Sequence, residues 1–258
     1  MKILVVGYSR FVQNRVMPVL LAHPDISAVD IASRSKPGQV SRARNINEVF
    51  DDYDAAFSKS TADVVYVSTV NSAHAGLVKD ALSKGKHVIV DKPAFTDLSD
   101  AEQVIDRARK SCLCVAEATI YAYHGQITAI KDQFTAAGCA PSRLIAVFSV
   151  PPLNADNFRY EAALGGGAMF DLGPYAVSAG RVFFGREEPV EIEARVTSRG
   201  GKGGVDISFS MLATYPGGRS MVGHFGFDTE YQNHLEVIGP GVSVKADRIF
   251  TTPANMEN

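Results

Sequence analysis

Residues 63–93, DVVYVSTVNSAHAGLVKDALSKGKHVIVDKP, decide the fold. DVVYVS (63–68) and HVIV (87–90) are short β-branched runs, and the stretch 74–84 between them is amphipathic at helical spacing. Val/Ile-rich runs of this length, bounded by Gly, Pro or Ser, fit strands buried on both faces. A helix joining two of them reads as a parallel βαβ unit. The alternation extends both ways: ILVV (3–6), AVDIAS (28–33) and LCVAEA (113–118) read as further strands, and 12–22 and 99–110 as further helices. Residues 1–120 are therefore predicted to form an α/β domain with a doubly wound parallel sheet. Ligands of such sheets bind beyond the carboxyl ends of the strands, so the strand-end residues carry the functional information.

After about residue 120 the pattern changes. A helix is predicted at 124–137 and a strand at 143–150, followed by PPLNADNFRY (151–160) and a glycine-introduced helix at about 167–184. From 189 onward strands predominate, at EIEARVTS, VDISFSMLATY, RSMVGHFGF, HLEVIG and VSVKA. YPGGR (215–219) between two alternating runs signals a hairpin. Residues 121–258 thus read as an α+β domain with a mostly antiparallel sheet. No repeat, low-complexity tract or flexible linker separates the halves, so they are expected to pack closely.

The chain of 258 residues carries a formal charge of −2, with Lys and Arg scattered rather than clustered, which argues against nucleic acid as a partner. Its three cysteines are too few and odd in number for a disulfide framework. Cys112 and Cys114 alternate along the predicted strand, which makes them a poor chelate; buried, inert thiols and no metal are expected. The sequence opens on a strand pattern, so no basic leader is expected, and no apolar run approaches the roughly 18 residues of a membrane span. The expectation is a cytoplasmic, reducing compartment without membrane contact.

Four strand-end or helix-start motifs carry chemistry. MKILVVGYSRFV places Gly7 at the end of the first strand, where G-x-G-x-x-G would also require glycine at Ser9 and Val12. Gly7 permits the tight turn into a helix whose N–H groups face a pyrophosphate. Ser9 is small with a hydroxyl to donate, and Val12 should hold the helix a little off the sheet. Taken alone, the stretch fits either a nucleotide turn or a plain βα turn. The second strand ends Ser33-Arg34-Ser35-Lys36, two hydroxyls and two cations suited to a 2′-phosphate; Asp30 lies too early to meet a ribose. This favours NADP over NAD, with a solvated basic turn as the alternative. HVIVDKPAF puts Asp91 and Lys92 before Pro93, where a lysine would point toward the nicotinamide end or stand as an ordinary strand terminus. LGGGAMFDLGPYAVSAGRVFFG (164–185) sets Asp171 and Tyr175 four apart, on one face of a single helix. Gly165–Gly167 would let backbone or ligand approach. Gly173 and Pro174 inside that helix sacrifice propensity, as at a functional site or in a kinked core helix.

Together these motifs resemble the glucose–fructose oxidoreductase/inositol dehydrogenase (Gfo/Idh/MocA) family over essentially the whole chain. Its E-K-P motif is matched by Asp91-Lys92-Pro93, and its E-A-x-x-Y-x-x-H-x-Q segment by Glu117, Ala118, Tyr121, His124 and Gln126. Its G-G-G-x-x-x-D-x-G-x-H motif is matched by Gly165, Gly166, Gly167, Asp171 and Gly173, with Tyr175 in place of the final His. That replacement, the NxxRVMPVL helix and PPLNADNFRY are most similar to the NADPH-dependent nucleotide-sugar ketoreductases of deoxysugar biosynthesis.

The resemblance implies a Rossmann domain followed by an open-faced sheet domain for substrate binding and oligomerisation, here expected to be shortened at its C-terminus. It implies NADP(H), with NAD(H) possible, and reduction of a keto group on a nucleotide-linked sugar. Cofactor contacts are expected at Gly7, Ser9, Arg10, Phe11, Ser33, Arg34, Ser35, Ser68, Asn71, His74, Asp91, Lys92 and Pro93. For His74, an ordinary helix-start role is nearly as well supported. Substrate contacts are expected at Lys92, Tyr121, His124, Arg159, Tyr160, Asp171 and Tyr175. Tyr175 would protonate the developing alkoxide, its phenol acidified by a nearby cation, while Lys92 stabilises the oxygen; which of the two delivers the proton is left open. Asp171 is expected to position Lys92 or a sugar hydroxyl. The open sheet of the family implies a homo-oligomer. The alternatives are a dehydrogenase of a free sugar or cyclitol, which the loss of the family's His disfavours, and a non-catalytic NADP-binding regulator, which has no use for both Lys92 and Tyr175.

Overall fold

The computed structural model describes residues 1–35, 38, 40 and 45–252. The chain divides into two compact units, Met1–Ala118 and Thr119–Asn258. In the first, strands β1 (Lys2–Val6), β2 (Ala28–Ala32), β3 (Ile46–Phe50), β4 (Val64–Val67), β5 (His87–Val90) and β6 (Val115–Glu117) form one parallel sheet in the order β3-β2-β1-β4-β5-β6. Side chains of β1 alternate between two cores, as a strand covered on both faces requires. Leu4 and Val6 pack with Phe57, Leu77 and Val104 of helices α2 (Tyr53–Lys59), α3 (His74–Ser83) and α4 (Leu98–Lys110). Ile3 and Val5 pack with Val12, Met17, Ile31 and Tyr66.

The helix predicted at 12–22 is present in two forms: a π-helical turn at Val12–Val16 runs into α1 (Met17–Ala22). Pro18 has no N–H to return to the preceding turn, and its ring would crowd the carbonyl four residues back. The wider turn, closed by Met17 N–H donating to the Val12 carbonyl, accommodates it.

The second unit opens with α5 (Gly125–Ala136) and β7 (Arg143–Ser149). With β8 (Glu191–Gly200), β9 (Val205–Tyr215), β10 (Arg219–Gly226), β11 (Gln232–Gly239) and β12 (Val242–Asp247), β7 makes a second sheet in the order β12-β11-β7-β10-β9-β8. Only β7 and β10 pair in parallel. Inward residues Leu144, Phe148, Phe209, Met221, Phe225 and Leu235 share one core with Ile127, Ile130 and Phe134 of α5. The YPGGR hairpin forms, with Gly217 and Gly218 at positive φ.

Two expectations are corrected. The helix predicted at 167–184 is two helices, α6 (Ala168–Asp171) and α7 (Gly173–Phe184), broken at Leu172. Pro174 lies in the first turn of α7, where a missing N–H costs nothing. Cys112 and Cys114 are exposed, not buried. The strand begins only at Val115, leaving Cys112 at φ 52 in the turn after α4. Among the described residues no helix is long and apolar enough to cross a membrane, and no group of three or more His, Cys, Asp or Glu is placed to hold a metal.

Candidate active site

At the carboxyl end of β1, Gly7 adopts φ +96 and donates its N–H to the Ala32 carbonyl at 2.9 Å. A β-carbon there would sit 2.0 Å from the Ser68 carbonyl oxygen, so no other residue fits. Ser9 is exposed, but its hydroxyl is engaged within the protein: Oγ accepts the Val12 N–H at 3.1 Å and lies 3.3 Å from Ser68 Oγ. Ser68 Oγ donates to Asp91 Oδ2 and Tyr66 Oη to Asp91 Oδ1, each at 2.5 Å. Because Ser68 has one proton and gives it to Asp91, Ser9 is the donor to Ser68. Burial, reinforced by Asp91, pushes the Tyr66 phenol far above its ordinary pKa, so it remains a donor. A chain of hydrogen bonds thus ties the ends of β1, β4 and β5 together.

With the Val12 amide taken by Ser9, the first-turn amides of Arg10 and Phe11 have no intrahelical acceptor and carry the positive end of the helix. These amides, the close Gly7 turn and the basic end of β2 fit a dinucleotide. Ser33 is buried, its N–H donated to Phe50, while Arg34 and Ser35 are exposed. The Arg34 guanidinium lies 4.2 Å from the Tyr53 ring centroid and 4.0 Å from Asp52. Lys36 lies outside the described residues. Asp30 is fully buried and spent on Asn47, the Glu48 amide and Ser60, which explains why it is unavailable to a ribose.

Beyond β4, Asn71 is buried in a short 3-10 turn. His74 is fully buried, with Nδ1 2.9 Å from the Pro93 carbonyl and Nε2 3.3 Å from the Thr69 carbonyl. It offers no surface to a ligand and joins the loop after β4 to the loop after β5. Lys92 is half-buried at the end of β5, Pro93 follows through a cis peptide, and the Ala94 N–H is held by Glu117 Oε2 at 2.9 Å.

In the second unit the GGG motif has a structural explanation. Gly165 adopts φ +76 and closes the turn before it. A β-carbon on Gly166 would meet the Arg159 and Glu161 carbonyl oxygens at 2.6 and 2.8 Å, and one on Gly167 would meet Asp206 Oδ1 at 2.6 Å. Backbone and a carboxylate therefore occupy the space the glycines leave. The Gly167 N–H bonds the Arg159 carbonyl at 2.9 Å, and Asp206 Oδ2 caps α6 through the Met169 N–H.

Asp171 and Arg159 form a side-on fork, Nε to Oδ2 at 2.9 Å and Nη2 to Oδ1 at 3.1 Å. Burial opposes the charge of Arg159, but the Asp171 carboxylate outweighs it and raises the guanidinium pKa, so Arg159 stays charged. Tyr175 packs among Tyr121, Phe148 and Phe250 at ring distances of 5.8, 5.2 and 5.2 Å. Tyr121 is buried and bonded to Ser178 Oγ at 2.9 Å; burial raises its pKa, so it stays a phenol and supports Tyr175 from within the core. Tyr160 Oη accepts the Leu153 N–H, and His124 caps α5 by accepting from Gln126 N–H. Tyr66, inside β4, and Asp206, at the start of β9, escape a sequence reading because each becomes special only through its three-dimensional partner.

Residues 1–119 match the oxidoreductase family with an NAD-binding Rossmann fold, and residues 140–245 match the GFO/IDH/MocA C-terminal domain. The chain is 31% identical over 261 aligned positions to a dTDP-3,4-didehydro-2,6-dideoxy-alpha-D-glucose 3-reductase of Streptomyces violaceoruber, covering 98% of this chain and 75% of that protein. The enzyme of the same name from Actinomadura kijaniata is 30% identical, over 98% and 76% of the two chains. A crystal structure of a 3-ketoreductase from Actinomadura kijaniata, in complex with NADP and TDP-benzene, superposes with a TM-score of 0.88 at 29% identity, covering 98% of this chain and 78% of that one.

Proposed function

Because the chain belongs to the Gfo/Idh/MocA family of NAD(P)-dependent oxidoreductases, we propose that it uses NADPH to reduce a keto group on a nucleotide-linked deoxysugar. The observation that carries this reading is the similarity, over 98% of the chain, to dTDP-sugar 3-reductases. Tyr175 in place of the family's His supports it, since reduction needs a proton donor more than a base that titrates near neutrality.

The residues that hold the cofactor are Gly7, the Arg10 and Phe11 amides, Ser33, Arg34, Ser35, Asn71 and the loop Asp91-Lys92-Pro93. Ser9, Ser68 and His74 serve it by fixing the loops around it. When bound, the nicotinamide supplies the hydride. Lys92 orients the ketone and stabilises charge on its oxygen, a preorganised electrostatic role. Tyr175 gives its phenolic proton to that oxygen. Asp171, aimed by Arg159, bonds a sugar hydroxyl, and Tyr160 and His124 line the substrate side. Arg34, exposed after β2, would hold a 2′-phosphate and so favour NADPH over NADH.

We further propose a homo-oligomer through the outer face of the second sheet. Glu193, Leu212, Val222, Ile145, Glu236 and Lys245 lie in one cross-strand row, and Arg195, Ser210, His224, Val147, His234 and Asp247 in the next. A two-fold axis parallel to the strands between β7 and β10 sets Glu193 against Lys245 and Arg195 against Asp247 of a second copy, around an apolar centre. The catalytic proposal is tested by mixing the protein with NADPH and a panel of keto-sugar nucleotides. NADPH oxidation with at least one is the expected result, and NADPH binding without turnover on any would favour a non-catalytic role.

A further inference from the structure

Asp206 belongs to no motif that the sequence presents, yet its carboxylate performs two tasks at the start of α6. Its Oδ2 accepts the Met169 N–H at 2.5 Å, and its Oδ1 fills the space beside Gly167 that a β-carbon would need. Gly167 is at φ +116, so the backbone that receives this carboxylate is one only glycine adopts readily. Helix α6 has four residues, too short to be stable by its own hydrogen bonds, so its position depends on what anchors its ends. A negative group at its start both satisfies an orphan amide and complements the helix dipole. The last residue of α6 is Asp171. Arg159 holds Asp171 through its guanidinium and Gly167 through its backbone carbonyl. Asp206 on β9 and Arg159 in the preceding loop therefore grip both ends of the same short helix.

We propose that Asp206 is a positioning residue that, by capping α6 in the space left by Gly167, fixes Asp171 in the Arg159 fork and so sets where Asp171 meets the substrate. This rests on the proposed role of Asp171 at the sugar. Asp206 touches neither substrate nor cofactor in this account; it acts through α6.

The test compares Asp206→Ala with Asp206→Asn, which keeps an oxygen to accept the Met169 N–H. In D206A, kcat/KM for the keto-sugar nucleotide should fall about tenfold or more, since small misplacements of a substrate-holding group carry costs of that order. The dissociation constant for NADPH should stay unchanged. D206N should recover to within roughly threefold of the parent, as an Asn caps about as well as an Asp. A D206A protein that is folded and has parental kcat and KM overturns the proposal, and so does a D206N protein as impaired as D206A. A second readout does not depend on turnover: the Arg159 Nε–H resonance and the exchange rate of the Asp171 and Leu172 amides. D206A should lose their protection while D206N keeps it. Retained protection in D206A overturns the positioning role. Lost protection in D206A, in a parent that turns over no sugar nucleotide, supports the positioning and refutes the substrate reading instead.

Discussion

Tyr175 gives a proton and Lys92 stabilises a charge, so removing either side chain should slow the reaction. Tyr175→Phe keeps the ring and its packing on Tyr121, Phe148 and Phe250, so the fold should be intact while kcat falls by about 10²-fold or more. Lys92→Ala should lower kcat comparably by removing stabilisation of the forming oxyanion. Steady-state NADPH oxidation with a keto-sugar nucleotide measures both, and full activity in both variants would contradict the mechanism. Arg34→Ala should raise KM for NADPH about tenfold and leave KM for NADH nearly unchanged, because only the former carries the 2′-phosphate. Equal effects on the two cofactors would assign Arg34 to the Tyr53–Asp52 surface alone. At this scale the sequence identified positions better than partners. Gly7, Asp91 and Asp171 were visible as strand-end or motif residues, but Ser9 bonding Ser68, or His74 closing on Pro93, depends on loops brought together by the fold.

Helix α6 and the buried ends of the first sheet set the local stability. Gly166→Ala would drive a β-carbon to 2.6 Å from the Arg159 carbonyl oxygen, and chemical denaturation should show a loss of about 2 kcal/mol or more. A neutral result would mean that the Arg159–Gly167 turn is not held as described. Lys86 presents a different test: it is buried, and its Nζ donates to the Ser60 and Ala62 carbonyls at 2.9 and 2.8 Å. Lys86→Met should cost about 1–3 kcal/mol by leaving both carbonyls unpaired. Burial lowers the Lys86 pKa from its ordinary 10.5 despite the nearby Asp63 and Asp30. The folded protein thus releases this proton before the unfolded chain does, and the Lys86 contribution to stability rises with pH between the lowered value and 10.5. Denaturation midpoints of parent and variant across the alkaline range measure it; a contribution that falls there would reverse the sign. The periodic strands of the first unit were legible, but β3 and α2 were not. β3 reads INEVF, with Asn47, Glu48 and Val49 exposed on an edge strand, so it lacks the buried apolar run that marks its neighbours. The break between α6 and α7 was also hidden, although Gly173-Pro174 is a helix start rather than a blemish in a longer helix.

Over the whole molecule, hydrophobic patterning marked most strands of a doubly wound parallel sheet and of a second, mostly antiparallel one. Neither the order β3-β2-β1-β4-β5-β6 nor the parallel pairing of β7 with β10 could be read from it, because order depends on how the connections cross. The exposed row of the second sheet bears on assembly. Val222→Asp, at the centre of that row and 42% exposed in the single chain, should convert the proposed oligomer to monomer without lowering the melting temperature of the isolated unit. Sedimentation velocity of parent and variant decides it, and a parent that is a stable monomer rules the assembly out. Ketoreduction is tested by a single reaction of the purified protein with NADPH and dTDP-linked 3,4-didehydro-2,6-dideoxyglucose, following the cofactor and the sugar together. One NADPH should be oxidised for each keto group reduced, about 10²-fold or more slowly in Tyr175→Phe. NADPH that binds but is not consumed, with this or any other keto-sugar nucleotide, would contradict it.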